Sequence, residues 1–389
     1  MHLLLVGAWP ELANQLVGLP ARVSLVQLPG AADPRETAWA HRHACVDYVG
    51  DIAATVSLAV DIDRRDPVDV VAGFREFSLP AVRAVAEKLN VACVPGPAAT
   101  LGHDKAAVRD MLNRSDCRSV PFRRCATAAD VAAFAAAEGF PFVLKPAGGA
   151  GSAGVHAVCR AADIVPAWQH SSAVATNGRV VAERLLDGPE FSVEVRSAAG
   201  SHEVVAVTEK TTTGPPHFVE AGHLVPARLA PDVAGALAAE AVRALRAIGH
   251  ETGPSHVELI RTTRGPTIVE INRRLGGDRI WELVLLATGR DLMRESLLDA
   301  VHATPALAPE RRRAAAIRFV LDEQGDEGAD AASPPELLRR TVMTTHHRGP
   351  VRSSHDRLGY VLTTAADGDR AAQAAEQAAR RPHAPNEGR

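Results

Sequence analysis

Cysteine is scarce and shows no pairing pattern. The five residues Cys45, Cys93, Cys117, Cys125 and Cys159 are odd in number and contain no Cys-x-x-Cys pair. That excludes a regular disulfide framework and a cysteine zinc site, and it favours a reducing, cytoplasmic setting. No apolar run approaches the ~20 residues that a membrane-spanning helix needs, so no membrane association is expected. The opening Met1-His2-Leu3-Leu4-Leu5-Val6-Gly7 is too brief for a secretory leader and reads as a buried first strand. A basic excess is also missing: Lys plus Arg total 43 against 46 Asp plus Glu, a formal net charge of -3. General nucleic-acid binding is therefore not expected. No internal repeat is found. What is present is ordinary for a soluble globular chain, with 46% hydrophobic and 23% charged residues. At roughly 100–200 residues per domain, 389 residues predict two or three domains.

The first third alternates short β-type runs with helical stretches. Leu3–Val6, Val23–Val26, Val68–Val71 and Val91–Val94 read as strands, and Leu79–Leu89 is apolar at helical spacing. Such alternation implies βαβ units and a parallel sheet. From Asp104 a second region begins, with a helix over Lys105–Asn113 and an Ala-rich helix over Ala129–Glu138 closed by Gly139. Phe142–Pro146 is a short strand that enters the glycine-rich run Gly148–Gly154. Strands around Asp187-Gly188-Pro189, a long helix over Pro231–Ile248 and a hairpin over Val257–Asn272 follow. The last ~75 residues include an acidic, small-residue-rich loop over Gly325–Pro335 and an Ala-, Gln- and Arg-rich tail from Arg370, whose first part is compatible with a helix and which is unstructured from Pro382.

The hairpin carries the strongest chemical signal. Side chains on a strand alternate faces, so Glu270, Asn272 and Arg274 share one face, and Glu258 lies on the partner strand. Two carboxylates and an amide oxygen converging there suit magnesium, and an arginine one step beyond would stabilise charge developing on a phosphate or a carboxylate. The same residues would also suit the charged face of an edge hairpin. The glycine-rich run, with Lys145 before it, offers backbone N–H groups to phosphates. It fits neither G-x-x-x-x-G-K-[ST] nor G-x-G-x-x-G, and a plain connector would look similar.

Taken together and in order, these segments resemble the ATP-grasp superfamily over most of the chain. The resemblance implies an α/β chain with α+β lobes. It comprises an N-terminal Rossmann-like pre-ATP-grasp domain (1–100), a small nucleotide lobe (101–185), a large lobe with the metal and catalytic site (186–305) and a small C-terminal subdomain (306–369), with 370–389 as a disordered tail. By the same resemblance Lys105 and Lys145 contact ATP, and Gly149, Gly151, Ser152 and Gly154 belong to a lid over its phosphates. Glu183 and Leu185 meet adenine, Glu190 takes the ribose hydroxyls, and Glu258, Glu270 and Asn272 hold Mg2+, or Mn2+ in its place. Arg274 is the catalytic arginine.

Asn272–Ile280, Ala287–Leu292, Thr208–Lys210, Phe218–His223 and Asp356–Val361 are similar to the amino-acid ligase branch. Arg273 stands where a proline is common there, facing away from the site. The branch implies an ATP- and Mg-dependent ligase that joins a small-molecule carboxylate to an amine through an acyl phosphate, as a homodimer. A free carboxylate is a poor electrophile, and phosphorylation supplies the leaving group. Candidate substrate contacts are Arg279 as a carboxylate clamp or a surface ion-pair partner, and Glu76 as an ammonium holder or a helix N-terminal carboxylate. His223 and His256 are polar contacts or structural histidines. The alternatives are a ligase activating bicarbonate or formate, and a non-catalytic nucleotide-binding regulator.

Overall fold

Five strands near the N-terminus form a parallel sheet: β1 (His2–Val6), β2 (Arg22–Gln27), β3 (Arg42–Cys45), β4 (Val70–Ala72) and β5 (Ala92–Val94), in the order β3-β2-β1-β4-β5. A computed structural model describes residues 1–9, 12–96, 104–175, 178–303, 311–321, 334–343 and 349–380. All five residues of β1 are buried, as a central parallel strand covered on both faces requires. The connections are α1 (Ala13–Leu16), α2 (Pro34–Thr37), α3 (Ile52–Arg65) and α4 (Leu79–Leu89). In α4 the expected stripe of Leu79, Val82, Val85 and Ala86 is buried, its fifth member Leu89 is partly exposed, and Asn90 ends the helix in the left-handed region at φ 57°.

The second unit begins with α5 (Lys105–Asn113), followed by β6 (Phe122–Cys125), α6 (Ala128–Glu138), β7 (Phe142–Pro146), β8 (His156–Val158), α7 (Ile164–Val174) and β9 (Val180–Arg184). Its antiparallel sheet runs β6-β9-β7-β8. A Thr127/Asp130 capping box starts α6, and Gly139 at φ 76° ends it. Val131, Phe134, Phe142, Leu144, Ile164 and Val180 belong to a core of this lobe alone. By packing, however, α5 belongs to the next unit, because Val108 and Leu112 are buried with Leu237 and Leu245 there.

That next unit is an eight-stranded antiparallel sheet. It contains β10 (Glu190–Ala198), β11 (Ser201–Thr212), β12 (Glu220–Val225), β13 (Gly253–Thr262), β14 (Gly265–Asn272), β15 (Ala314–Val320), β16 (Leu337–Val342) and β17 (Gly359–Ala365), ordered β14-β13-β10-β11-β12-β15-β17-β16. Its helices are α8 (Pro231–Ala247), α9 (Ile280–Thr288), α10 (Leu292–Ala300) and α11 (Gly368–Ala379). Strands β15 to β17, from the C-terminal region, extend the large-lobe sheet beyond β12.

Helix α11 bears out a helical first part of the tail from residue 370 and corrects its assignment as disordered throughout. Asp367 caps this helix, and Ala371, Ala374, Ala375 and Ala378 form a small-residue stripe buried against β15 and β17. Composition alone hid this, because alanine suits a solvated tail and a closely packed helix equally. Residues 381–389, His103 and most of the acidic loop lie outside the described residues.

Leu3, Leu5 and Leu12 share one core with Leu283, Met293 and Leu297, so the parallel-sheet unit is joined to α9 and α10 by apolar packing. Among the described residues no helix is long and apolar enough to cross a membrane.

Candidate active site

The two antiparallel sheets face each other across a cavity of about 1000 Å³. One wall comes from the small lobe. Lys105 opens α5, whose first turn is capped by Asp104 accepting from Ala106 and Ala107 N–H at 3.0 Å. Its Nζ reaches the Gly149 carbonyl at 2.9 Å and Glu270 at 3.2 Å, tying the glycine-rich loop to the opposite sheet. Lys145 ends β7 and pairs with Glu183 of β9 at 2.9 Å. Arg109 donates to both oxygens of Glu183 at 3.2–3.3 Å. Burial would raise the Glu183 carboxyl, but Lys145 and Arg109 outweigh it and hold it down at about 2.

The facing wall follows from strand alternation. Glu258 and Glu270 are direct cross-strand partners, as are His256 and Asn272. Next to them β10 presents Glu190, Ser192 and Glu194, and β11 presents Thr208 and Lys210. Lys210 Nζ sits among three carboxylates, 2.8 Å from Glu190, 2.7 Å from Glu220 and 3.1 Å from Glu258. Burial opposes its charge, yet those carboxylates keep the ammonium well above the ordinary lysine range. Burial pushes the Glu220 carboxyl up, while Lys210 and His256 overcome burial at Glu258 and hold it well below the usual range.

His256 bridges Glu194, at 2.9 Å from Nδ1, and Glu258, at 3.0 Å from Nε2. Burial disfavours its cation, but the two carboxylates prevail and push it up to about 9. These two contacts fix the Glu194 and Glu258 side chains relative to each other. His223 lies 3.3 Å from Asp278, which also accepts two hydrogen bonds from Arg357 at 2.6–2.8 Å.

Of the residues expected from sequence, Lys105, Lys145, Gly149, Gly151 and Ser152 line the cavity together with Glu183, Leu185 and Glu190. Glu258, Glu270, Asn272, Arg274, His223 and His256 line it as well. Three do not. Gly154 is a packing position, since an added Cβ would lie 2.5 Å from Val174 Cγ2 and 2.8 Å from Pro146 Cγ. Arg279 pairs with Glu282 and lies over the Trp281 and Tyr360 rings, a half-buried ion pair outside the cavity lining. Glu76 comes from the loop after β4 and pairs with Arg274 Nε, which brings the parallel-sheet unit to the catalytic candidate. Arg273 faces the other way, as expected, fully buried with one bond to the Ile248 carbonyl at 3.1 Å.

Lys210, Glu220, Glu194, Arg109 and Arg357 were not singled out in the sequence. A usable signal existed for Lys210: the chain has only four lysines (88, 105, 145 and 210) beside 39 arginines, and three of the four line this cavity.

The donor set tests whether a hard divalent cation fits. Glu190, Glu220 and Glu258 place carboxylate oxygens within 4.8 Å of one another, and Glu220 Oε2 is buried without a hydrogen-bond partner. Glu270 and Asn272 alongside bring the oxygen-donor residues to five, which fits Mg2+, while the unpartnered His223 Nδ1 lies 4.0 Å from Glu220 Oε2. Opposite them, two lysines and a glycine loop suit polyphosphate.

Residues 138–282 match the family model described as an ATP-grasp domain. The protein y4rH of Sinorhizobium fredii (strain NBRC 101917 / NGR234) is 32% identical over 277 residues, which are 67% of this chain and 56% of that protein. The alanine–anticapsin ligase of Bacillus subtilis (strain 168) is 23% identical over 291 residues, 69% of this chain and 60% of that protein. The chain thus spans less than two thirds of the length of either relative. The crystal structure of an L-amino acid ligase from Bacillus licheniformis superposes with a TM-score of 0.78 at 22% identity, covering 97% of both chains. The chain carries an ATP-grasp domain, and its fold is that of the ATP-grasp superfamily.

Proposed function

We propose that this chain is an ATP-dependent carboxylate–amine ligase. It joins an amino acid, or a related carboxylate, to an amine as an amide or peptide bond and releases ADP and phosphate. The observation that carries this reading is one cavity with two opposed walls. Phosphate-binding lysines and a glycine loop stand on one side, and Glu258, Glu270, Asn272 and Arg274 stand on the other. The L-amino acid ligase likeness and the alanine–anticapsin ligase relative support the amide-forming branch.

In this reading a substrate carboxylate oxygen attacks the γ-phosphorus of ATP, and the bond to the bridging oxygen breaks to leave ADP. The amine lone pair then attacks the acyl carbon, phosphate departs, and the nitrogen loses a proton. Lys105 and Lys145 neutralise the phosphate oxygens, with Glu183 and Arg109 fixing the Lys145 side chain. The glycine-rich loop covers the reacting groups and excludes water that would hydrolyse the acyl phosphate. Glu258, Glu270 and Asn272 would hold Mg2+, whose chemistry there is charge neutralisation on the phosphates. Arg274, oriented by Glu76, stabilises charge on the transferring phosphoryl.

The test is ATP turnover with pooled amino acids, with and without bicarbonate, read as ADP and phosphate. Phosphate release that needs an amino acid and an amine is the expected result. Release of AMP and pyrophosphate, or turnover with bicarbonate alone, would overturn it. Arg274→Ala should reduce kcat at least 100-fold while nucleotide affinity, read by equilibrium binding, changes less than about fivefold. Wild-type turnover in that variant would remove Arg274 from the chemistry.

A further inference from the structure

Three histidines distant in sequence meet beside the lid: His156 on β8, His170 on α7 and His217 in the loop between β11 and β12. Their ring centroids are 5.7 Å apart for His156 and His170, 5.2 Å for His156 and His217, and 5.1 Å for His170 and His217. One ring nitrogen from each lies within 4.8 Å of the others. Two of the rings carry an unmet polar atom, since His156 Nδ1 and His170 Nε2 are buried without a hydrogen-bond partner. Buried polar atoms are nearly always hydrogen-bonded, so two unmet ones in one cluster call for an explanation.

We propose that His156, His170 and His217 form a site for a divalent transition-metal ion of the zinc class, separate from the oxygen site at Glu258, Glu270 and Asn272. The chemistry is selective. Three imidazoles suit zinc and its neighbours in the first transition row, whereas magnesium and calcium prefer oxygen donors. His217 Nδ1 lies 3.3 Å from the Val155 carbonyl, which can only accept, so that nitrogen donates and the Nε2 lone pair is free for a metal. Burial and repulsion from His217 keep His156 and His170 below the ordinary histidine range. The other nearby charges are Arg352, which disfavours the cation at both rings, and Asp163, which favours it at His156. All three residues are partly exposed, so an ion can enter from solvent, and water would complete a tetrahedral shell.

The position gives the ion a task. Ala157 N–H donates to the Pro216 carbonyl at 2.8 Å, and Ser152 Oγ donates to the Phe218 carbonyl at 3.0 Å. These bonds already join the small lobe to the β11–β12 loop, whose Gly214, Pro215 and Phe218 line the cavity. A metal at the triad fastens the same two parts by coordination and fixes the lid over the cavity.

The experiment uses the full chain freed of metal by chelation and held in excess Mg2+, which fills the oxygen site. Titration with Co2+ is expected to give one equivalent with the visible absorption of a tetrahedral, nitrogen-bound ion. Zn2+ should displace it stoichiometrically and raise the melting temperature. In His170→Gln and His217→Gln, Co2+ affinity should fall at least 100-fold, with metal-free melting curves that overlay the wild type to show that the fold is kept. Wild-type protein that lacks the tetrahedral spectrum, or variants that bind Co2+ as tightly as wild type, would overturn the proposal.

Discussion

Lys210 shows how a single side chain sets the charge of the site. A fully buried ammonium among three carboxylates is stable only because each partner lies within 3.1 Å. Lys210→Met removes the cation and leaves Glu190, Glu220 and Glu258 to repel one another. Breaking such a buried network costs about 3–5 kcal/mol, so the melting temperature should fall by several degrees. Mg2+ should restore part of that loss and raise the variant's melting temperature more than the wild type's. Equal response to Mg2+ in both would separate Lys210 from the proposed metal site.

A second residue sets behaviour in acid. Burial, with Arg273 beside it, pushes the His250 imidazole down to about 3 from the ordinary 6.5. The fold favours the neutral ring, so His250 contributes its full stability above pH 6.5 and loses it as pH falls towards 3. Each pH unit across that window is worth up to about 1.4 kcal/mol. His250→Gln keeps a polar group for the Gly253 carbonyl and should flatten the acid limb of a denaturation series. An unchanged slope between pH 6.5 and 4 would assign that limb to other groups.

At the scale of elements, the lid is anchored where its last glycine packs. Gly154 has φ 76°, and its carbonyl accepts from Ser171 Oγ at 2.6 Å. Gly154→Ala would place a methyl against Pro146 and Val174 in a conformation that costs about 1–3 kcal/mol. The expected outcome is a KM for ATP raised at least fivefold with a smaller change in kcat. A wild-type KM would show that the anchor yields without cost to nucleotide binding.

Strands are also where legibility divided. Period-two alternation alone grouped Glu270, Asn272 and Arg274, and the hairpin turn supplied Glu258, because both relations are local. Glu194, Lys210 and Glu220 join them only through the pairing of β10 with β11 and β13, and of β11 with β12. One sequence carries no mark of those partners. Arg279 stayed open between a clamp and an ion-pair partner for a similar reason: which carboxylate it meets is set by the fold, and Glu282, three residues on, takes its guanidinium. The helix α11 stayed undecided between helix and disordered tail because an alanine stripe gives little contrast between its buried and solvent faces.

For the whole molecule, the distribution of cores predicts how it opens. The parallel sheet and α9–α10 share one core, whereas β6–β9 with α6 and α7 enclose their own. The small lobe should therefore open without the rest. Hydrogen exchange is expected to be faster in β7 and β9 than in β1 and β13, and ADP with Mg2+ should slow β7 and β9 at least tenfold. Uniform protection across all three sheets would show a single cooperative unit instead. The order of motifs along the chain made the two-lobed grasp legible. The way the first domain reaches Arg274 through Glu76 is a long-range contact that only the assembled chain displays.

The distribution of lysines has a practical outcome. Lys105, Lys145 and Lys210 have side chains 12%, 8% and 2% exposed, which leaves Lys88 as the one lysine open to solvent. Amine-directed acylation, tethering to a support or enzymatic lysine tagging would thus fall on Lys88 and the chain's amino terminus. A chain rich in arginine and nearly bare of lysine can be labelled at Lys88 without touching the cavity.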